Sequence, residues 1–261
     1  MLIDVNAYVG HWPFKRLTDN HCDGLLKKMN RYGVDLSVVT NLNGIFYKNT
    51  QSANEELITE IRSKKIFTNR FLPFAIINPV YGGWKDDFKT CVQQFGMKGV
   101  RVFPNYHDYA IDEPALIELV KMARDHDVVI ALTMRMVDSR QRSWMDLPVE
   151  WGLKDYLPLL KAVPDARYLL LNLSTGLTLS PEEEDLLKKC HVLFDTSGRN
   201  IIDFGDFYKQ FGKTRVAWGT HFPVFDYLTG LLRIESLRAT EADEADKDLF
   251  RFRNARSFLG L

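Results

Sequence analysis

The sequence has little cysteine. Cys22, Cys91 and Cys190 are the only three in 261 residues, and they are widely spaced with no Cys-x-x-Cys pair. An odd, scattered set excludes a disulfide framework and a structural zinc knot; each reads as a small buried apolar residue. Charge of either sign is not in excess: Lys+Arg and Asp+Glu both number 34, for a formal net charge of zero. A polyanion-binding surface carries a basic excess, so nucleic acid is not an expected partner. No apolar run approaches the ~18 residues of a membrane span. Met1-Leu2-Ile3-Asp4-Val5 enters a strand-like pattern at once, without a charged leader or a long apolar segment. The expectation is a soluble, cytoplasmic protein without a membrane partner, and a homo-oligomer is compatible with it. No Gly-x-Gly-x-x-Gly follows the first strand, which disfavours a dinucleotide fold.

What is present is a regular alternation. Short runs rich in β-branched residues fall at Leu2–Asn6, Asp35–Asn41, Phe71–Ile77, Gly99–Phe103, Val128–Met134, Tyr168–Asn172, Val192–Thr196 and Arg215–Gly219. Amphipathic helical patterns follow them at Asp23–Tyr32, Ala53–Lys64, Lys85–Phe95, Pro114–His126, Leu153–Ala162, Pro181–Cys190, Ile201–Phe211 and Tyr227–Arg238, with a last one at Asp243–Phe258. Strand–helix alternation at near-uniform spacing predicts parallel strands joined by helical crossovers. Eight such units predict one (β/α)8 TIM barrel spanning residues 1–261, close to the ~250 residues typical of that fold. Ser180-Pro181-Glu182-Glu183 carries the chemistry of a helix start. The acidic run Glu241–Asp248 reads as another, favoured by the helix dipole, and not as a metal site.

Barrel chemistry collects at the C-terminal ends of strands, so strand-end residues are the candidates. Period-two alternation places Asp4, Asn6 and Tyr8 on the inner face of the first strand, Arg101 with Phe103 on the fourth, and Thr133 with Arg135 on the fifth. The sixth ends at Asn172 and the eighth at Gly219-Thr220-His221-Phe222-Pro223.

These strand ends resemble the amidohydrolase-related family, metal-dependent hydrolase-like barrels of the amidohydrolase superfamily. Ile3-Asp4-Val5-Asn6-Ala7-Tyr8 is similar to its opening Ile-Asp-x-His-x-His, with both histidines replaced. Gly96-Met97-Lys98-Gly99-Val100-Arg101-Val102-Phe103-Pro104 is similar to its fourth-strand run, and Tyr168–Gly176 to its sixth-strand segment, with Asn172 at a histidine. Gly219-Thr220-His221-Phe222-Pro223 has His221 where the family has aspartate, and Arg253–Leu261 resembles its closing segment. The resemblance implies hydrolase or decarboxylase chemistry with a divalent metal such as zinc. Here its ligand positions read Asn6, Tyr8, Thr133, Asn172 and His221, of which only His221 keeps ligand chemistry. No metal cofactor is therefore expected; a relocated site on His11, His107 and His221 is the alternative.

The resulting expectation is a metal-independent hydrolase for a small carboxylated or lactone-type substrate, since the family includes metal-independent lactonases. His221 would move protons. Arg101 and Arg135 would present guanidinium forks to an anion, unless Arg101 pairs internally with Asp4. Asn6, Tyr8, Thr133 and Asn172 would orient substrate, with Tyr106 and His107 touching it from the loop after the fourth strand. Arg140, Arg142 and Trp144 form a loop that is either a lid or a solvated surface, and His11-Trp12-Pro13-Phe14 would wall a pocket. A catalytically silent ligand-binding or scaffold barrel and a metal-dependent enzyme with moved ligands are the competing readings.

Overall fold

The computed structural model describes residues 1–147, 150–173, 178–198 and 204–261. Eight parallel strands lie in one sheet in sequence order: β1 (Ile3–Val9), β2 (Leu36–Asn41), β3 (Phe71–Ile76), β4 (Gly99–Val102), β5 (Val129–Thr133), β6 (Arg167–Leu171), β7 (His191–Asp195) and β8 (Val216–Ala217). Helices connect them, so the expected (β/α)8 barrel is present. Among the described residues no helix is long and apolar enough to cross a membrane.

β8 has only two residues, and the seam is closed by the chain that follows it. Val5 N donates to Trp218 O at 3.0 Å, His221 N to Asn6 O at 2.6 Å and Tyr8 N to Phe222 O at 2.8 Å. The loop that carries His221 is thus also the last stave of the barrel.

Most helices match their patterns. Leu153–Ala162 is helical as read, and Ser180 caps Pro181–Lys189 through a reciprocal pair: Glu183 N to Ser180 Oγ, 3.3 Å, and Ser180 N to Glu183 Oε2, 2.7 Å. In the acidic run, Asp243 Oδ1 accepts from Asp246 N at 2.8 Å and caps Glu244–Asp248. The first residues of the expected helix from Ile201 lie outside the described residues, and Phe204–Phe211 is helical. Three short helices had no sequence signal long enough to read: Asn43–Phe46, Lys65–Arg70 and Pro104–His107.

The interior is layered. Ile3, Val5, Phe74, Val129, Ala131, Leu169, Leu171 and Ala217 fill the lower barrel, with Ala255 and Leu259 of the last helix closing its base. Tyr8, Trp12, Ile76, Phe103 and Met136 form a second cluster above them. Val100, Val102, Ile130 and Leu132 face the helices, as alternation requires.

Strict alternation fails on β1. Its register against β2 shifts between Asp4 and Ala7. One extra residue there places Val5 in the lower interior while Asn6 and Tyr8 still face inward above it. Asp4 therefore does not share the face of Asn6 and Tyr8. It turns toward the β8 loop, where Thr220 Oγ1 donates to its Oδ2 at 2.6 Å and Thr220 N to its Oδ1 at 3.0 Å.

Candidate functional site

Four strand ends meet at Asn6. Its side-chain Nδ2 lies 2.7 Å from Asp195 Oδ2, 3.2 Å from Ser197 Oγ and 3.1 Å from His221 Nδ1, while its Oδ1 accepts from Arg101 Nη1 at 3.2 Å. Asp195, at the end of β7, also accepts from Asn172 N at 2.7 Å. All of these side chains are buried. Two backbone features hold the set together. Asn172 and His221 take left-handed φ values of 55° and 58°, which turn side chains inward just past the strand ends. Gly219 is required by close approach, since a Cβ there would stand 2.5 Å from Asp195 Oδ2.

His221 is fully enclosed, and both ring nitrogens are engaged. Nε2 lies 2.8 Å from Met136 O. A carbonyl only accepts, so Nε2 carries the hydrogen and Nδ1 accepts from Asn6 Nδ2. Burial, reinforced by the nearby Arg101, Arg135 and Arg233 charges, lowers its pKa to about 3. The imidazole is neutral and locked between β1 and the loop after β5. For the expected proton transfer its Nδ1 would have to exchange Asn6 for substrate.

Arg101 is fully buried with its guanidinium 4.3 Å over the Tyr8 ring. Among the described residues no carboxylate lies within ion-pair distance of it, so the alternative, an internal pair with Asp4, is not formed. Its Nε and Nη2 have no hydrogen-bond partner. Tyr8 turns its hydroxyl to Met136 Sδ at 3.8 Å and its ring edge-on to His221 at 5.1 Å. Asp4 holds its own local bonds instead, and burial raises its pKa to about 6.

Above this layer Arg135 lines two of the cavities at the mouth. The smaller, about 30 Å³, also has Thr133, Tyr106 and Asp146 in its wall. The larger, about 460 Å³, lies between Arg135, Ser197, Phe225 and Arg233. Arg135 accepts at its carbonyl from Asn172 Nδ2 (2.6 Å), and its Nη2 reaches Asn172 Oδ1 at 3.5 Å. Its Nε has no partner. Asp146 went unnoticed in the sequence. One carboxylate oxygen accepts from Tyr106 Oη at 3.0 Å and from Leu147 N at 2.8 Å; the other is buried without a partner.

Other candidates sit elsewhere. His107 turns away from the mouth, its Nε2 3.2 Å from Gly44 O. Trp144 is 91% exposed and covers no cavity, and Arg140 is solvent-facing and paired with Asp138 at 2.6 Å. Arg142 lines the smaller cavity. Trp12 and Phe14 do wall the mouth, packing edge-to-face with each other and with Phe46.

The donor set does not fit a divalent cation. The group at its centre is the Asn6 Nδ2, a hydrogen donor that the Asp195 carboxylate keeps oriented, and the Arg101 guanidinium lies on the amide's other side. His11 is exposed and His107 is engaged at Gly44, so the relocated set is not assembled. Among the described residues no three His, Cys, Asp or Glu side chains are grouped to hold a metal ion.

No family model matches the sequence, and no curated protein matches it. Solved structures do. A candidate amidohydrolase from Staphylococcus aureus aligns over 100% of this chain and 99% of its own at 18% identity and a TM-score of 0.74. A dihydroxybenzoic acid decarboxylase from Polaromonas sp. JS666, with bound manganese and the inhibitor 2-nitroresorcinol, aligns over 100% and 97% at 13% identity and TM-score 0.72. A candidate 2-pyrone-4,6-dicarboxylic acid hydrolase from Acinetobacter baumannii, with citric acid bound, aligns over 100% and 99% at 13% identity and TM-score 0.68. Identities this low speak for architecture alone. The chain has the (β/α)8 barrel fold of these three proteins, from one end to the other.

Proposed function

We propose that this chain acts on a small carboxylated compound at the barrel mouth, without a resident divalent metal, and that Arg135 anchors the carboxylate. The observation that carries this reading is the place of Arg135: it borders both cavities and keeps an N–H group without a partner. A guanidinium fork in a half-closed site matches a planar carboxylate. The neighbours that share the fold support the ligand class, since they are named for small oxygen-rich acids or hold one.

The reaction is hydrolysis of a lactone-type bond or loss of carbon dioxide. Either needs a group that takes and returns a proton at the mouth. Two carboxylates line the smaller cavity, Asp146 and Glu150; Glu150 lies 3.8 Å from Arg142, while Asp146 has one oxygen fixed by Tyr106 and the other uncommitted. In hydrolysis it removes a proton from the attacking water; in decarboxylation it relays one to the carbon that loses its carboxyl group. Thr133 Oγ1, also without a partner, faces the same cavity and suits a substrate oxygen. His221, Asn6 and Asp195 hold the loops after β5, β6 and β8 in register beneath.

The test is turnover of aromatic and aliphatic carboxylates and lactones by chelator-treated protein, alongside Arg135→Ala and Asp146→Asn. We expect Arg135→Ala to raise KM about tenfold or more and Asp146→Asn to lower kcat with little change in KM. Turnover that appears only with a stoichiometric divalent ion would refute the reading. Carboxylate binding with no turnover would assign a binding protein instead.

A further inference from the structure

Two oxygens on the wall of the smaller cavity have no hydrogen-bond partner: Thr133 Oγ1 at the end of β5 and Asp146 Oδ2 in the loop beyond it. Their residues are exposed by only 7% and 6%. Both are held firmly. The Thr133 carbonyl accepts from Tyr156 Oη at 3.1 Å, and β5 carries the residue in register with Leu171 of β6. Asp146 Oδ1 is taken by Tyr106 Oη and Leu147 N, and Asp146 N donates to Ser143 O at 3.1 Å. The second carboxylate oxygen therefore cannot turn to a new partner without breaking those bonds. A buried oxygen left unbonded is unfavourable, and a polar cavity with room for water takes it up. About 30 Å³ has room for water and none for an organic acid, whereas the larger cavity, about 460 Å³, admits one. Arg135 borders both.

We propose that the two cavities divide one reaction between them: the acid lies in the larger on Arg135, and the smaller seats the attacking water, held by Asp146 and Thr133. This rests on the reading of Arg135 as anchor and Asp146 as proton carrier given above. It selects hydrolysis over loss of carbon dioxide, which forms no bond to water and gives such a chamber no part. The water donates one hydrogen to Asp146 Oδ2 and the other to Thr133 Oγ1, leaving its lone pairs to the substrate. Thr133 keeps its own hydrogen for the substrate carbonyl oxygen, where negative charge develops. The water oxygen bonds to the acyl carbon as its proton passes to Asp146. The acyl–oxygen bond then breaks, and Asp146 returns the proton to the leaving oxygen. An ester gives an acid and an alcohol; a lactone gives one hydroxy acid. The substrate is thus a carboxylate that also carries an ester or lactone carbonyl.

The experiment is a crystal structure of the intact protein with and without benzoate, beside Thr133→Ser and Thr133→Val. We expect an ordered water in the smaller cavity, within hydrogen-bond distance of Thr133 Oγ1 and Asp146 Oδ2. It stays when benzoate binds, is retained in Thr133→Ser and is lost in Thr133→Val. A smaller cavity without water, or benzoate seated in it, overturns the proposal; the parent protein decides this even if Thr133→Val does not fold. Benzoate bound away from Arg135 overturns the anchor reading and leaves the water seat standing. In turnover, Thr133→Val lowers kcat about tenfold or more with KM near the parent value, and Thr133→Ser restores it. Release of carbon dioxide, or a kcat that Thr133→Val does not move, removes the water from the reaction.

Discussion

Asn6 donates to Asp195 at 2.7 Å across the top of the barrel, joining the end of β1 to the end of β7. The same amide reaches Arg101 and His221, so one side chain satisfies groups from three other strand ends. Asn6→Ala leaves Asp195, His221 Nδ1 and Arg101 each short of a bond. A buried group left unsatisfied costs about 1–3 kcal/mol, and we expect urea denaturation to report a loss of about 3 kcal/mol. A midpoint unchanged from the parent would show that the network contributes nothing to stability.

Acid should unfold the protein partly through His221. Its folded pKa of about 3 lies below the ordinary 6.5, so its stability contribution is complete above pH 6.5 and is lost as pH falls toward 3. The slope from this group reaches about 1.4 kcal/mol per pH unit. His221→Gln should be less stable at neutrality yet take up one proton fewer on unfolding across that window. Identical proton uptake in both proteins would mean that His221 is not neutral in the fold.

Asp4 works in the opposite direction. Its pKa is raised from 3.8 to about 6, so its contribution is present below pH 3.8 and disappears as pH climbs through 6. Asp4→Asn should gain on the parent by up to about 3 kcal/mol between pH 4 and pH 8. A difference that stays flat with pH contradicts a raised Asp4.

Gly219→Ala tests how closely the strand ends are packed. The added methyl would meet Asp195 Oδ2 at 2.5 Å and Asn6 Cβ at 3.1 Å. Overpacking of this kind costs about 1–3 kcal/mol, read as a lower melting temperature. A neutral substitution would mean that Asp195 can move aside.

Trp144→Ala should leave both ligand affinity and stability within about 0.5 kcal/mol of the parent, because the indole is 91% exposed. A clear loss of affinity in a binding titration would restore the lid.

The architecture was legible because its signals are long: β-branched runs and amphipathic helices repeat eight times, and each repeat reinforces the last. The site was legible only where single residues followed the regular geometry. Thr133 and Arg135 lie on the face that alternation gave them. The bulge in β1 has no signature in Asp4-Val5-Asn6-Ala7, so Asp4 was assigned to the wrong face. His221 is polar at a strand end, which reads as chemistry; its closure by Met136 O and Asn6 is a product of loops remote in sequence. Asp195 was within reach, since the rule that singled out Asn6 and Asn172 applies to the last residue of β7. Asp146 lies in an irregular loop, where no periodicity says which way a carboxylate points.

With a β8 of only two residues, the circle is completed by Trp218, His221 and Phe222 bonding back to β1. Specificity and integrity are therefore written in the same few peptide units. The loop after β5 can be exchanged beyond Met136, whose carbonyl holds His221, to change what the mouth accepts, but grafting a foreign segment after β8 would unfasten the cylinder. Diversification of this protein, by selection or by hand, is channelled to the β5 side of the opening.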